Sequence, residues 1–247
     1  MKKSRFNLLK SIGGIWFAIG FASSFLALYP LFVITLSRKQ WYPAAHKLRR
    51  YWAWWLFVWG GIRVKQIEEV KINPKRAYVI APNHSSQLDI VTLGGKLKLY
   101  FNFMAKNELA KIPLFGIFFR TIDIAVERKN SRKAAQAYQK SVQQLKHGQS
   151  IVIFPEGTIP HSAPKLGKFK EGAFKLAIET QTDILPVTII GNWKRLPDKG
   201  RFHFIPGKVI HYVHAPVSTY GMSPHQVNEL MEHIRQLHEN KLAEYGY

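Results

Sequence analysis

The chain has no cysteine in 247 residues. Disulfides, a thiolate nucleophile and cysteine-built metal sites are therefore excluded, and the absence fits a reducing compartment. Acid is scarce as well: 15 Asp and Glu stand against 36 Lys and Arg, a formal charge of +21. No acidic residue occurs before Glu68, whereas eleven lysines or arginines do. Internal repeats, low-complexity linkers and a Gly-x-Ser-x-Gly nucleophile elbow are all missing. The length then reads as one α/β domain plus an appendage.

The acid-free segment is where aromatics collect. Six of the seven tryptophans lie in it, at positions 16, 41, 52, 54, 55 and 59. Residues 11–37 carry no charge and are mostly apolar, long enough to span a bilayer as a helix. Pro30 is expected to kink or divide that helix. Basic residues flank the run on both sides: Lys2, Lys3, Arg5 and Lys10 before it, Arg38, Lys39, Lys47, Arg49 and Arg50 after it. A one-way span shows a charge asymmetry. The symmetry here favours a two-helix element that dips into one leaflet, with a single span as the rival and a cleaved signal peptide third. The expected location is the cytoplasmic face of the inner (plasma) membrane, monotopic or single-span. Nucleic acid is not an expected partner. Basic and aromatic residues can grip such a ligand, but these aromatics sit in an apolar segment and no nucleic-acid motif occurs.

The expected division is 1–66 for the membrane-associated helical element and 67–247 for a catalytic α/β domain, with the basic stretch Arg63 to Arg76 as connector. Apolar runs predict strands over Ala77–Ala81, Thr121–Val126, Ser150–Phe154 and Ile184–Ile190. Helices are predicted from Ser131 to Lys146 and from Glu171 to Ile178. Phe202 to Val213, rich in β-branched and aromatic residues, predicts strands at one edge. Ser223-Pro224-His225-Gln226 reads as a helix start. Val227, Leu230, Met231, Ile234 and Leu237 follow as the core stripe of a terminal helix. His225, His233 and His238 on it show no ligand spacing and read as surface or structural residues. The alternation predicts an α/β sandwich around a mostly parallel sheet.

The densest chemistry is Asn83-His84-Ser85-Ser86-Gln87-Leu88-Asp89, straight after the first predicted strand. An aspartate near a histidine can accept from one ring nitrogen, fix the tautomer and stabilise the imidazolium. The other nitrogen is then a general base for a hydroxyl. Histidine, which titrates near about 6.5 in model peptides, suits that task at neutral pH. The bland alternative is a turn in which Asn83 and Asp89 cap local backbone. A second motif, Phe154-Pro155-Glu156-Gly157-Thr158, follows another strand-like run.

Together these motifs resemble the glycerolipid acyltransferase family, and its 1-acylglycerol-3-phosphate acyltransferases in particular. Four blocks appear in order: 83–89, the stretch through Ile124-Ala125-Val126-Glu127-Arg128, 154–158, and Ile184-Leu185-Pro186-Val187-Thr188. Lys106-Asn107-Glu108-Leu109 with Ile112-Pro113 and Gly116, and Phe169-Lys170-Glu171-Gly172-Ala173-Phe174, are similar too. The likeness covers roughly residues 75–190. It implies a glycerolipid-acyltransferase-like sandwich and acyl transfer from a thioester (acyl-CoA or acyl-ACP) to the free hydroxyl of lysophosphatidic acid, giving phosphatidic acid. No metal or redox cofactor is implied. The implied partners are membrane lipids and acyl-CoA or acyl carrier protein.

By resemblance, His84 is the base and Asp89 its orienter, while Glu156, Gly157 and Thr158 belong to the acceptor site. Lys106 and Arg128 are the implied phosphate ligands, against a plain reading as solvated charge. Gly157 also fits a positive-φ turn, and Glu156 a buried partner holding its loop. Oxyanion donors are expected from backbone N–H groups after the dyad or around Gly157. A covalent acyl-serine at Ser85 or Ser86 is the minor alternative. Where the family usually has arginine and serine after the Glu-Gly-Thr block, this chain has Ile159-Pro160-His161-Ser162. Lys165, Lys168 or Lys170 are the expected substitutes for the missing cation. The departure also leaves room for a lyso-lipid acceptor without that phosphate, such as a lyso-amino-acid lipid. A non-catalytic membrane-binding module is the reading from another class, and the intact His84–Asp89 pair weighs against it.

Overall fold

The computed structural model describes residues 2–127, 130–198 and 203–247, with side chains from Asn7 onward. In chain order the elements are α1 (Lys2–Leu36), α2 (Tyr42–Gly60), β1 (Ile62–Glu68), β2 (Val79–Pro82), α3 (Leu88–Lys96), β3 (Phe101–Lys106), α4 (Asn107–Ala110), α5 (Ile117–Thr121) and β4 (Ile124–Val126). There follow α6 (Ser131–Lys146), β5 (Ser150–Val152), α7 (Gly172–Thr180), β6 (Ile184–Ile190), α8 (Asn192–Arg195), β7 (Gly207–Val213) and α9 (Val227–Glu244).

The strands form one seven-stranded sheet in the order β1-β7-β6-β2-β5-β3-β4. Every pairing is parallel except β6 with β7. Its central strands are apolar on both faces because both are covered. Tyr78 and Ile80 enter the core beneath α3, while Val79 and Ala81 enter the opposite core with α6, α7 and α9. The period of two thus divides one short run between two layers.

The expected sandwich is the architecture adopted, with corrections at its edge. β1 was expected as a basic connector, yet it is the edge strand and pairs along its whole length with β7. Its Arg63 and Lys65 are the charges an edge strand carries against pairing with another chain. The division expected after residue 66 therefore falls inside a strand. β7 is second from the edge, and Phe202 lies outside the described residues. β3 was not foreseen, because Asn102 and Lys106 break its apolar pattern. Thr121 belongs to α5, not to β4.

The N-terminal element is a hairpin of two helices. Pro30 sits inside α1 without dividing it. Gly61, in the left-handed region at φ 60°, ends α2 by donating to the Phe57 and Val58 carbonyls; a side chain there is strained. Trp16 stacks on Trp59 at 4.1 Å, and Phe25, Phe32, Trp52, Leu56 and Phe118 form a third core between hairpin and domain. Arg49 on α2 bonds both carboxylate oxygens of Asp123, at 3.0 and 2.8 Å. Asp123 also accepts from the Phe103 N–H at 2.9 Å, so this pair rivets α2 to β3.

Two histidines are fully enclosed. His238 on α9 reaches the Ala81 carbonyl (3.1 Å) and the Thr188 hydroxyl (2.9 Å). The carbonyl only accepts, so His238 Nε2 carries the proton. Burial pushes His238 down to about 3 and His211, on β7, down to about 4. Both stay neutral in the fold but take up protons once unfolded below about pH 6.5. The unfolded chain therefore binds more protons between those limits, and stability present above pH 6.5 is lost as pH falls. Urea unfolding should show a loss of about 2 kcal/mol per histidine between pH 7 and pH 5; equal midpoints would refute it.

Candidate active site

Parallel neighbours end on the same edge of a sheet, so the loops leaving β2, β5, β3 and β4 emerge side by side, about 4.8 Å apart. That carboxyl edge is where open α/β sheets bind ligands. The loop after β2 carries His84, the loop after β5 carries Glu156, Gly157 and Thr158, and β3 ends on Lys106. β4 ends on this edge too, but Arg128 lies outside the described residues.

His84 Nδ1 donates to Asp89 Oδ2 at 2.9 Å; the Asp89 side chain is 0% exposed and that of His84 11%. Oδ2 also accepts from the Ser85 and Ser86 N–H groups, at 2.7 and 3.0 Å. The His84 ring stacks on Phe154, centroids 4.0 Å apart. With Nδ1 committed, Nε2 is the nitrogen left for a reacting hydroxyl.

Glu156 is buried and binds the two loops together. Its carboxylate accepts from the His84 N–H (2.7 Å) and the Gly167 N–H (2.6 Å). Burial raises its pKa, partly offset by those two donors. Gly157 has φ 70° and closes a turn by donating to the Phe154 carbonyl. Both facts match the structural side of the expectations for these residues. Lys106 and Thr158 meet at the exposed rim, Nζ donating to Oγ1 at 3.3 Å. Lys165 and Lys168 are exposed on the loop whose Gly167 holds Glu156.

One expectation loses its footing and a second narrows. The Ser86 hydroxyl donates to the Leu196 carbonyl at 2.6 Å and accepts from the Leu88 N–H, while Ser85 is buried. Among the described residues neither hydroxyl bonds to His84, the base an acyl-serine mechanism would need beside it. The backbone N–H groups of Ser85, Ser86, Leu88 and Gly157 are already bonded within the protein, so these expected oxyanion donors are occupied.

Sequence reasoning missed Asn192. Its Nδ2 donates to Asp89 Oδ1 at 2.7 Å and to Thr92 Oγ1 at 2.8 Å. It also missed an apolar cavity of about 690 Å³ between the hairpin, the first turns of α3 and the α4–α5 segment. Its walls include Phe21, Phe25, Gln87, Ile90, Phe115 and Phe118. No local motif announces either, since both join residues far apart in the chain.

A hydrogen-bonded histidine–aspartate pair thus stands on the carboxyl edge of an α/β sheet, in the same loop-and-helix segment whose Gln87 and Leu88 line the apolar cavity. The chain belongs to the acyltransferase family, whose model matches residues 61–190. A probable 1-acyl-sn-glycerol-3-phosphate acyltransferase of Mycoplasma genitalium is 34% identical over 160 residues, 63% of this chain and 59% of that protein. A 1-acyl-sn-glycerol-3-phosphate acyltransferase of Chlamydomonas reinhardtii is 30% identical over 216 residues, 84% of this chain and 64% of the relative. Matches to the first curated relatives span 55% to 66% of their length. The crystal structure of the 1-acyl-sn-glycerophosphate acyltransferase PlsC from Thermotoga maritima superposes with a TM-score of 0.81 at 27% identity, covering 99% of this chain and 98% of that one.

Replacing Glu156 by Gln puts an N–H donor where a backbone N–H already points. Expect a loss of about 1–3 kcal/mol in stability and a marked fall in any activity of the folded variant. A thermal melt and a rate measurement check both; an unchanged melt would show that Glu156 does not hold the loops.

Proposed function

We propose that this protein transfers a fatty acyl chain from an acyl thioester to the free hydroxyl of 1-acylglycerol 3-phosphate, forming phosphatidic acid for phospholipid synthesis. The observation that carries the reading is the 2.9 Å His84–Asp89 bond on the carboxyl edge of the sheet, beside the apolar cavity. His84 Nε2 takes the hydroxyl proton as that oxygen attacks the thioester carbonyl. The tetrahedral centre collapses, the C–S bond breaks, and the thiolate recovers the proton from the imidazolium. Asp89 stabilises the imidazolium in between. Lys106 and Thr158, which meet at the rim, serve the acceptor's phosphate, and Arg128 is assigned to it too; Glu156 and Gly157 shape the loop that presents Thr158.

The cavity suits an acyl chain. Gly94 lines it, and a Cβ at Gly94 meets nothing within 4 Å. Gly94→Leu should therefore fold, gaining helix propensity, while its side chain takes up part of the chamber. Competition between acyl thioesters of different length should then favour shorter chains; an unaltered preference would place the chain elsewhere.

Membrane association belongs to the same reading. Residues Asn7–Leu36 of α1 are long and apolar enough to cross a membrane. Yet α1 packs on the domain along its length: the Lys10 carbonyl accepts from the Phe204 N–H, Phe17 stacks on Phe204, and Phe32 packs edge-on to Phe118. A full crossing would drag those loops into hydrocarbon. Its other side exposes Ile15, Ile19 and Leu26, and α2 exposes Tyr51, Trp54 and Val58. Seating in one leaflet fits this, with Arg38, Lys39 and Lys47 near the headgroups, on the cytoplasmic face, where either acidic donor, acyl-CoA or acyl carrier protein, is met.

Ile159-Pro160 favours a second reading of the acceptor, a lyso-lipid lacking the phosphate, such as a lyso-amino-acid lipid. The test is purified protein in detergent with a long-chain thioester and lysophosphatidic acid, His84→Ala in parallel. Phosphatidic acid from the parent alone is the expected result. Substantial turnover by folded His84→Ala would sink the mechanism, and product only from phosphate-free acceptors would establish the second reading.

A further inference from the structure

The seven-residue motif is held at both ends by one short stretch more than a hundred positions away. At its start, Asn83 donates to the Ile189 carbonyl at 3.1 Å and accepts the Ile189 N–H at 2.6 Å. At its end, Asn192 donates to Asp89. β6 ends on Ile190, and Gly191, at φ 98°, turns the chain so that Asn192 opens α8 beneath α3. A Cβ at Gly191 would lie 3.2 Å from the Lys208 carbonyl oxygen, so the turn is tight as well as left-handed.

Chemistry fixes which way the Asn192 amide faces. The Asp89 carboxylate only accepts. The Thr92 hydroxyl sends its own proton to the Asp89 carbonyl, at 3.3 Å, and so also accepts from Asn192. Both neighbours demand the NH₂ end. Asp89 Oδ2 is fed by His84, Ser85 and Ser86; among the described residues Oδ1 receives a hydrogen bond from Asn192 alone. Without it, one oxygen of a fully buried carboxylate loses its donor. The carboxylate then gains by rotating, and rotation breaks its alignment with the imidazole.

We infer that Asn192 is a positioning residue of the reaction: its amide locks the Asp89 carboxylate so that Oδ2 stays in line with His84 Nδ1 as the imidazole gains and loses its proton. The inference rests on the reading of His84 as the base. The titratable groups facing Asp89 are His84 from the loop before α3, Glu156 from the loop after β5, and His211 from β7, which burial keeps neutral.

The experiment compares kcat and KM of purified parent, Asn192→Leu, Asn192→Asp, Asp89→Asn and the Asp89→Asn/Asn192→Leu double variant, with His84→Ala in parallel. Asn192→Leu should lower kcat by about ten- to a hundredfold, the usual reach of groups that orient a site residue, with KM for both substrates unchanged. Added to Asp89→Asn, the same change should cost no more than about twofold, because the group it orients is gone. Asn192→Asp sets two buried carboxyls within hydrogen-bond reach, where they share one proton; the protonated group still donates to Asp89 and should recover most of the kcat that Asn192→Leu loses. A folded Asn192→Leu with kcat within twofold of the parent overturns the inference, as does a full extra penalty on top of Asp89→Asn. Should Asn192→Leu not fold, Asn192→Ala takes its place, and a kcat within twofold of the parent overturns the inference. Activity in His84→Ala removes the base and with it anything Asn192 positions; inactive His84→Ala beside a fully active Asn192→Leu defeats this inference only.

Discussion

The Asp89 carboxylate has no exposure to water and accepts four hydrogen bonds within the protein. Burying an ionised carboxylate is tolerable only when such donors replace its hydration. Those donors come from the loop after β2 and from α8, so satisfying one charge fixes how α3 leaves the sheet. His84 is held by the same arrangement from its ring side, and from its backbone side by Glu156. Two buried carboxylates, one from the first turn of α3 and one from the loop after β5, thus grip one histidine, and the ring face rests on Phe154. The site is precise because each member is over-determined, not because any one bond is strong.

A second constraint ties the N-terminal hairpin to that edge. Arg49 and Asp123 form a nearly buried, two-pronged pair. Removing either partner would strand a charge. His46 and Arg50 of α2 also bond the Leu99 carbonyl. The hairpin therefore docks in one position, and docking creates the cavity: α1 and α2 supply one wall, α3 and the α4–α5 segment the other. Neither half encloses that space by itself.

What the sequence made legible follows from how local each signal is. The His84 motif, β6 and α6 were readable because each rests on a run of adjacent residues with one clear period or motif; β6 and α6 fall on their predicted bounds. β1 hid because an edge strand tolerates Arg63, Lys65 and Gln66, which look like a linker. β3 hid because Asn102 and Lys106 interrupt it. His238 looked like one of several helix histidines, and only the fold brings it to Ala81 and Thr188. Asn192 had no local mark at all, since its meaning is a 2.7 Å approach to a residue 103 positions away. Periodicity announces layers; contacts between layers need the fold.

The hairpin's double duty has a kinetic consequence. The helices that turn Trp54 and Val58 outward also form a wall of the chamber. On the membrane reading, a substrate chain passes from bilayer to chamber without a stay in water. The concentration that governs turnover is then the substrate's mole fraction in the lipid surface, not its amount per litre. Diluting the whole suspension would leave the rate per bound enzyme unchanged, whereas diluting the substrate with inert lipid would lower it.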